Sequence, residues 1–128
     1  CVHFPASSPH DKFSQGITMI GSDGVELGVN EDLNSTGACV GGFEGYSNGL
    51  DFMMDSTRMA NGGLSVGYDV GQWGEFVHTI GGLNADTVTG DFNGAYWHLD
   101  HNGATSTAGI GDLVMSEGDV LSWSIVTW

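Results

Sequence analysis

Apolar and polar positions alternate with a period of two in several short stretches of this chain and follow a helical period in one. Ile17-Thr18-Met19-Ile20, a Ser22-Asp23-Gly24 turn and the alternating Val25-Glu26-Leu27-Gly28-Val29 read as a half-buried hairpin. Residues 1–16 hold both prolines and show no period, so they read as an extended lead-in. Residues 30–48 lose periodicity again and read as a long, glycine-rich surface loop.

From Gly49 to Ala60, Leu50, Met53, Met54 and Thr57 recur at i, i+3, i+4 and i+7, which predicts an amphipathic helix. Asn48 is placed to cap it, Asp51 puts negative charge in the first turn, and Asn61-Gly62 supplies a left-handed stop. Only strand and turn signals follow: Leu64 to Tyr68, Glu75 to Ile80, Ala95 to Asp100, Thr105 to Thr107 and Val120 to Trp128. His101-Asn102-Gly103 is a strong short hairpin turn. In the last stretch Leu121, Trp123 and Ile125 share one face, so one side is buried and the other largely wet. The expected fold is α+β, a mostly antiparallel sheet with a single packed helix at about 49–60, in one domain spanning 1–128.

Composition narrows the partners. Sixteen Asp and Glu stand against two cations, Lys12 and Arg58, for a net charge of −14 and a pI near 4.1. A surface that tracks phosphates needs clustered Lys and Arg, so nucleic acid and anionic membranes are excluded as partners. No stretch has the roughly 20 apolar residues needed to span a bilayer, so no membrane insertion is expected. The acids are dispersed and read as a solubilising surface, with calcium loading as the alternative.

The two cysteines, Cys1 and Cys39, form an even set in a chain that begins at Cys, as a processed secretory protein would. One disulfide is expected, closing a loop worth roughly 3–4 kcal/mol. The sequon Asn34-Ser35-Thr36 suits a glycosylated loop. A lipidated N-terminal Cys is the rival reading, but it leaves Cys39 as an odd thiol. A secreted, extracellular protein is therefore expected.

Catalytic and metal motifs fare poorly. Gly63-Leu64-Ser65-Val66-Gly67 matches the G-x-S-x-G pattern, but a helix precedes it and a strand follows, the reverse of a nucleophile elbow. His98, Asp100 and His101 are the densest candidate metal ligands, yet residues 98 and 101 of a strand point to opposite faces. Asp91-x-Asn93-Gly94 and Asp100-x-Asn102-Gly103 echo calcium loops without completing one. No catalytic or metal-ligating residue is assigned, and no enzyme is expected. The aromatic set Trp73, Tyr96, Trp97, Trp123 and Trp128, with Met53, Met54 and Met59, carries more apolar area than a core this size encloses.

From residue 50 onward the chain resembles the DUF4430 domain, which is similar to the C-terminal β-domain of the cobalamin carriers transcobalamin and intrinsic factor. The resemblance rests on the helix Leu50 to Ala60, Gly74-Glu75-Phe76-Val77-His78-Thr79-Ile80-Gly81-Gly82-Leu83, Tyr96-Trp97-His98-Leu99, Asn102-Gly103, Gly109-Ile110-Gly111 and Glu117-Gly118-Asp119-Val120-Leu121-Ser122-Trp123. It implies a body over 17–128 in which 30–48 is a loop insertion. By position it implies a ligand-facing surface made of Trp73, Gly74, Tyr96, Trp97 and Gly109. The α-helical barrel that holds most of the corrinoid in those carriers has no counterpart here.

These readings lead to a secreted binding protein that holds an apolar or amphipathic small molecule on an aromatic, glycine-rich face, completed by a second copy or a partner domain. A bound chromophore is the candidate cofactor: a corrinoid or other tetrapyrrole, or a carotenoid. The rival is an extracellular structural or adhesive module that depends on calcium.

Overall fold

The computed structural model describes residues 1–5, 10, 12–31, 34–60, 64–72 and 74–128. The strands are β1 (Val2–Phe4), β2 (Ile17–Gly21), β3 (Glu26–Asn30), β4 (Thr36–Gly41), β5 (Val66–Gly71), β6 (Gly74–Ile80), β7 (Leu83–Asn84), β8 (Ala95–His101), β9 (Ala104–Thr105) and β10 (Leu121–Thr127), with one α-helix, α1 (Gly49–Met59), between β4 and β5. Seven strands form one sheet in the order β3-β2-β4-β1-β10-β8-β9, and β5-β6-β7 form a second. Most neighbours are antiparallel; β2 with β4 and β1 with β10 are parallel. The expected α+β class, mainly antiparallel with one helix, is what the chain adopts.

The hairpins form where the turn chemistry put them, but β3 is exposed along its whole length instead of half-buried in alternation. Between β2 and β3, Gly24 takes φ +83° and the Asp23 carboxylate accepts from the Val25 amide at 3.1 Å. Between β8 and β9, Asn102 and Gly103 take φ +54° and +83°, the left-handed pair that a two-residue hairpin turn needs. The helix starts at its expected cap: the Asn48 side-chain oxygen accepts from the Leu50 and Asp51 amides. The Asn61-Gly62 stop lies outside the described residues.

Three expectations need correction. The lead-in 1–16 contains β1, which sits between β4 and β10 in the middle of the large sheet. Val2 and Phe4 are buried in the core, and the Cys1 carbonyl accepts from the Trp123 amide at 2.8 Å. The loop 30–48 contains β4, flanked by β2 and β1; Thr36, Gly37 and Ala38 are all buried. On α1 the buried stripe is Gly49, Met53, Ser56 and Thr57, continued by Ala60, while Met54 faces outward. The Ser56 and Thr57 hydroxyls donate back to the Met53 carbonyl at 3.1 and 2.7 Å, which lets two polar residues enter the core.

A single core joins both sheets and the helix, with Phe4, Ile20, Met53, Ile80, Leu83, Trp97 and Trp123 among its members. The expected disulfide between Cys1 and Cys39 is formed and ties the start of β1 to β4. Asn34 lies exposed in the turn just before β4. Among the described residues no helix is long and apolar enough to cross a membrane.

Candidate functional site

The outer edge of β8 is covered only in part. Strand β10 pairs with β8 from Ala95 to His101, whereas β9 pairs only at Asp100 and His101, and the Ser106 amide closes onto the Leu99 carbonyl at 3.0 Å. Beyond that point the edge borders a groove of about 180 Å³ between β8, β6 and the 105–110 connection. Phe76 and Val77 come from β6, Tyr96 to Leu99 from β8, and Gly109 and Ile110 from the connection. Phe76 is 58% exposed, so a large ring stands at the mouth with one face uncovered.

The expected ligand-facing residues divide. Tyr96, Trp97 and Gly109 line this one groove. Gly74, at φ +98°, begins β6 beside the lining residue Glu75 but is not itself part of the wall. Trp73 lies outside the described residues. Trp97 needs a change of role: it is 4% exposed, its Nε1 donates to the Leu83 carbonyl at 3.0 Å, and its ring meets Phe4 edge to face. It is a core residue that forms the floor of the groove, since odd positions of β8 face the interior and even positions face out. Trp123 joins that floor.

Sequence reasoning missed Phe76, the most exposed ring at the site, because its segment entered only as a strand and as part of the family resemblance, not as a ligand-facing position. It named Tyr96 as ligand-facing but did not join it to His98 and Asp100, which share the outward face of β8 with it. His98 Nε2 lies 3.0 Å from Asp100 Oδ1 and 3.4 Å from the Thr105 hydroxyl, and Nδ1 lies 3.3 Å from the Tyr96 hydroxyl. A proton on Nε2 would serve the Asp100 carboxylate and leave Nδ1 to accept from the Tyr96 hydroxyl. His98 is thus held by hydrogen bonds along the outward face of β8. His101 points the other way, to Asp119 at 2.8 Å.

Among the described residues no group of three or more His, Cys, Asp or Glu is placed to hold a metal ion. The Ser65 main-chain carbonyl accepts from the Gly81 amide at 2.7 Å; Gly63, the first glycine of its motif, lies outside the described residues.

The fold and groove therefore define a small α+β domain with an amphipathic surface cleft at a sheet edge. The chain belongs to the family described as "Domain of unknown function (DUF4430)", whose model matches residues 53–127. The match covers α1 from Met53 onward and everything that builds the groove. The fold is similar to a crystal structure from Ruminococcus gnavus of a protein provisionally assigned metal binding, with a TM-score of 0.51, 18% identity, and 100% of this chain and 99% of that one covered. No curated protein matches the chain.

Proposed function

We propose that the protein is a secreted, non-enzymatic binding protein whose β6–β8 groove holds one edge of an apolar or amphipathic small molecule. The observation that carries this reading is the pairing of an apolar wall, the exposed Phe76 beside the buried Ile110, and a hydrogen-bonding rim, Tyr96 with His98, in one cleft. At about 180 Å³ the groove is smaller than the roughly 300 Å³ at which small-molecule pockets begin. A ligand therefore projects from it, and a second copy or a partner domain supplies the opposite wall. A planar tetrapyrrole or corrinoid, or a carotenoid with polar ends, matches an apolar body with a polar handle. The Cys1–Cys39 disulfide supports an oxidising, extracellular setting.

The test is an absorption spectrum and solvent extract of protein purified from its natural source. A visible band lost on extraction is expected, with Phe76→Ser and Tyr96→Ser lowering the stoichiometry of reloading. A colourless protein with no extractable chromophore removes all of these ligands.

One observation favours the structural or adhesive module as a second reading. Edge strand β3 is exposed along its whole length and contains no lysine, and Leu27, 74% exposed, Val29 and the neighbouring Val25 face solvent. Strand β3 lies at the far end of the sheet from the groove. Association through β3 would leave the groove open, so Leu27→Lys separates the two: it abolishes assembly in the second reading and leaves ligand binding intact in the first.

A further inference from the structure

The segment 42–48, between β4 and α1, carries two aromatic residues that the groove does not use. Phe43 and Tyr46 pack with Phe52 of α1, with ring centroids 6.1 Å apart for Phe43 and Tyr46, 5.8 Å for Phe43 and Phe52, and 5.5 Å for Tyr46 and Phe52. The interplanar angles are 75°, 85° and 79°, so the three planes stand nearly perpendicular, as the ring quadrupoles favour. The Tyr46 hydroxyl donates to Asp55 at 2.7 Å, which holds the ring in place and raises its pKa above the ordinary tyrosine value. Asp55 in turn pairs with Arg58 at 3.2 Å.

These rings form one wall of a second cavity, about 260 Å³, whose other wall is the 115–119 turn. Two exposed carboxylates, Glu44 and Glu117, line it with no hydrogen-bond or ion-pair partner among the described residues. Asp119 lines it too, but both its oxygens are engaged: Oδ1 by Asn102, Oδ2 by His101 and the Ser116 amide.

We propose that this cavity binds an organic cation with a methylated ammonium head of the choline type. Aromatic faces attract cations, and a methylated ammonium gives up its hydration more readily than a metal ion does. The two unengaged carboxylates and the net charge of −14 add a negative potential without imposing a coordination geometry. A hard metal ion is disfavoured, because two carboxylates beside three rings do not make a ligand shell of six to eight oxygens. The rings stand too close for a guest between them, so the cation rests on their outer faces. Phe43, Tyr46 and Phe52 all precede the family-matched residues 53–127.

The test titrates tetramethylammonium chloride and choline into the full chain by NMR. Saturable upfield shifts of the methyl protons, from ring currents, are expected, together with shifts of the Gly45 and Gly118 amides. The uncharged choline isostere 3,3-dimethyl-1-butanol should bind about fivefold or more weakly. Phe43→Leu, which keeps apolar volume, should weaken choline by about two- to fivefold, and Glu44→Gln with Glu117→Gln by a similar factor, each with an unchanged circular dichroism spectrum. Phosphatidylcholine vesicles distinguish a lipid headgroup from a free ligand, and binding of either supports the site. An isostere that binds as tightly as choline overturns the proposal. So do folded variants with unchanged affinity, or calcium that displaces the probe equally well in Phe43→Leu.

Discussion

The Nε2 of His101 stands 2.8 Å from Oδ2 of Asp119, a contact that closes the 116–119 turn onto the end of the β8–β9 hairpin. The same carboxylate accepts from the Asn102 side chain at 3.0 Å and the Ser116 amide at 2.9 Å, while the Asn102 side chain accepts from the Val120 amide at 2.8 Å. One ionised side chain thus fastens the hairpin, the turn and the entry to β10. These contacts, with the Asn102 bond first, lower its pKa to about 2.

The sign of the pH effect follows. A carboxyl whose folded pKa lies below its unfolded value contributes stability above the unfolded pKa and loses it as pH falls through the folded one. Stability should therefore drop between about pH 4 and pH 2. Asp119→Asn should flatten that fall and lower stability at pH 7. Urea unfolding measured from pH 2 to pH 7 checks it, and parallel curves for the two proteins would refute the role.

Strand β1 has only three residues, so the disulfide has much to do with keeping it in the sheet. The bridge spans 38 positions, and loop-closure entropy gives it about 3–4 kcal/mol, a large share of a typical stability of about 5–15 kcal/mol. Cys1→Ser with Cys39→Ser should lose that amount in urea denaturation. A loss below about 1 kcal/mol would mean that pairing with β4 and β10 holds β1 unaided.

The elements legible in the sequence are those whose pattern is local. The β2–β3 and β8–β9 hairpins announce themselves by turn residues, and α1 by its Asn48 cap and spacing. Strands β1 and β4 are hidden for a physical reason. In Thr36–Gly41, packing between two neighbouring strands selects small residues, and a Cβ on Gly37, at φ +141°, would collide with the Val2 carbonyl. A central strand built to admit its neighbour closely looks like a loop. At the groove, Tyr96 and Gly109 were found through family resemblance. Phe76 was not, because the mouth is made by two sheets meeting, and no single stretch of sequence encodes that.

Trp97 and Tyr96 are adjacent in sequence but should respond differently to truncation. Trp97→Ala removes a buried ring and leaves the Leu83 carbonyl without its donor, a cost of about 3–5 kcal/mol. Tyr96→Ala removes a half-buried ring at the rim and should cost about 1–2 kcal/mol while weakening ligand retention more than Trp97→Phe does. Thermal denaturation of both variants gives the comparison. Equal destabilisation would return Trp97 to the surface role expected from sequence.

Gly81 and Gly103 share a left-handed backbone but not an environment, which makes them a matched pair. Gly81 has φ +60°, and an added Cβ would stand 2.6 Å from Phe4 Cζ and 3.2 Å from Leu64 Cδ2. Gly103 has φ +83° and nothing within 4 Å. Gly103→Ala should therefore cost only the backbone penalty, about 1–2 kcal/mol. Gly81→Ala adds overpacking against Phe4, about 1–3 kcal/mol more. Because the closest approach is to the Phe4 ring, Phe4→Leu should cost less in the Gly81→Ala background than alone, a coupling that a double-mutant cycle reads directly. Equal costs at the two glycines, or strict additivity with Phe4→Leu, would show that the β6–β7 turn does not rest on β1, and the placement of β1 in the core would fail with it.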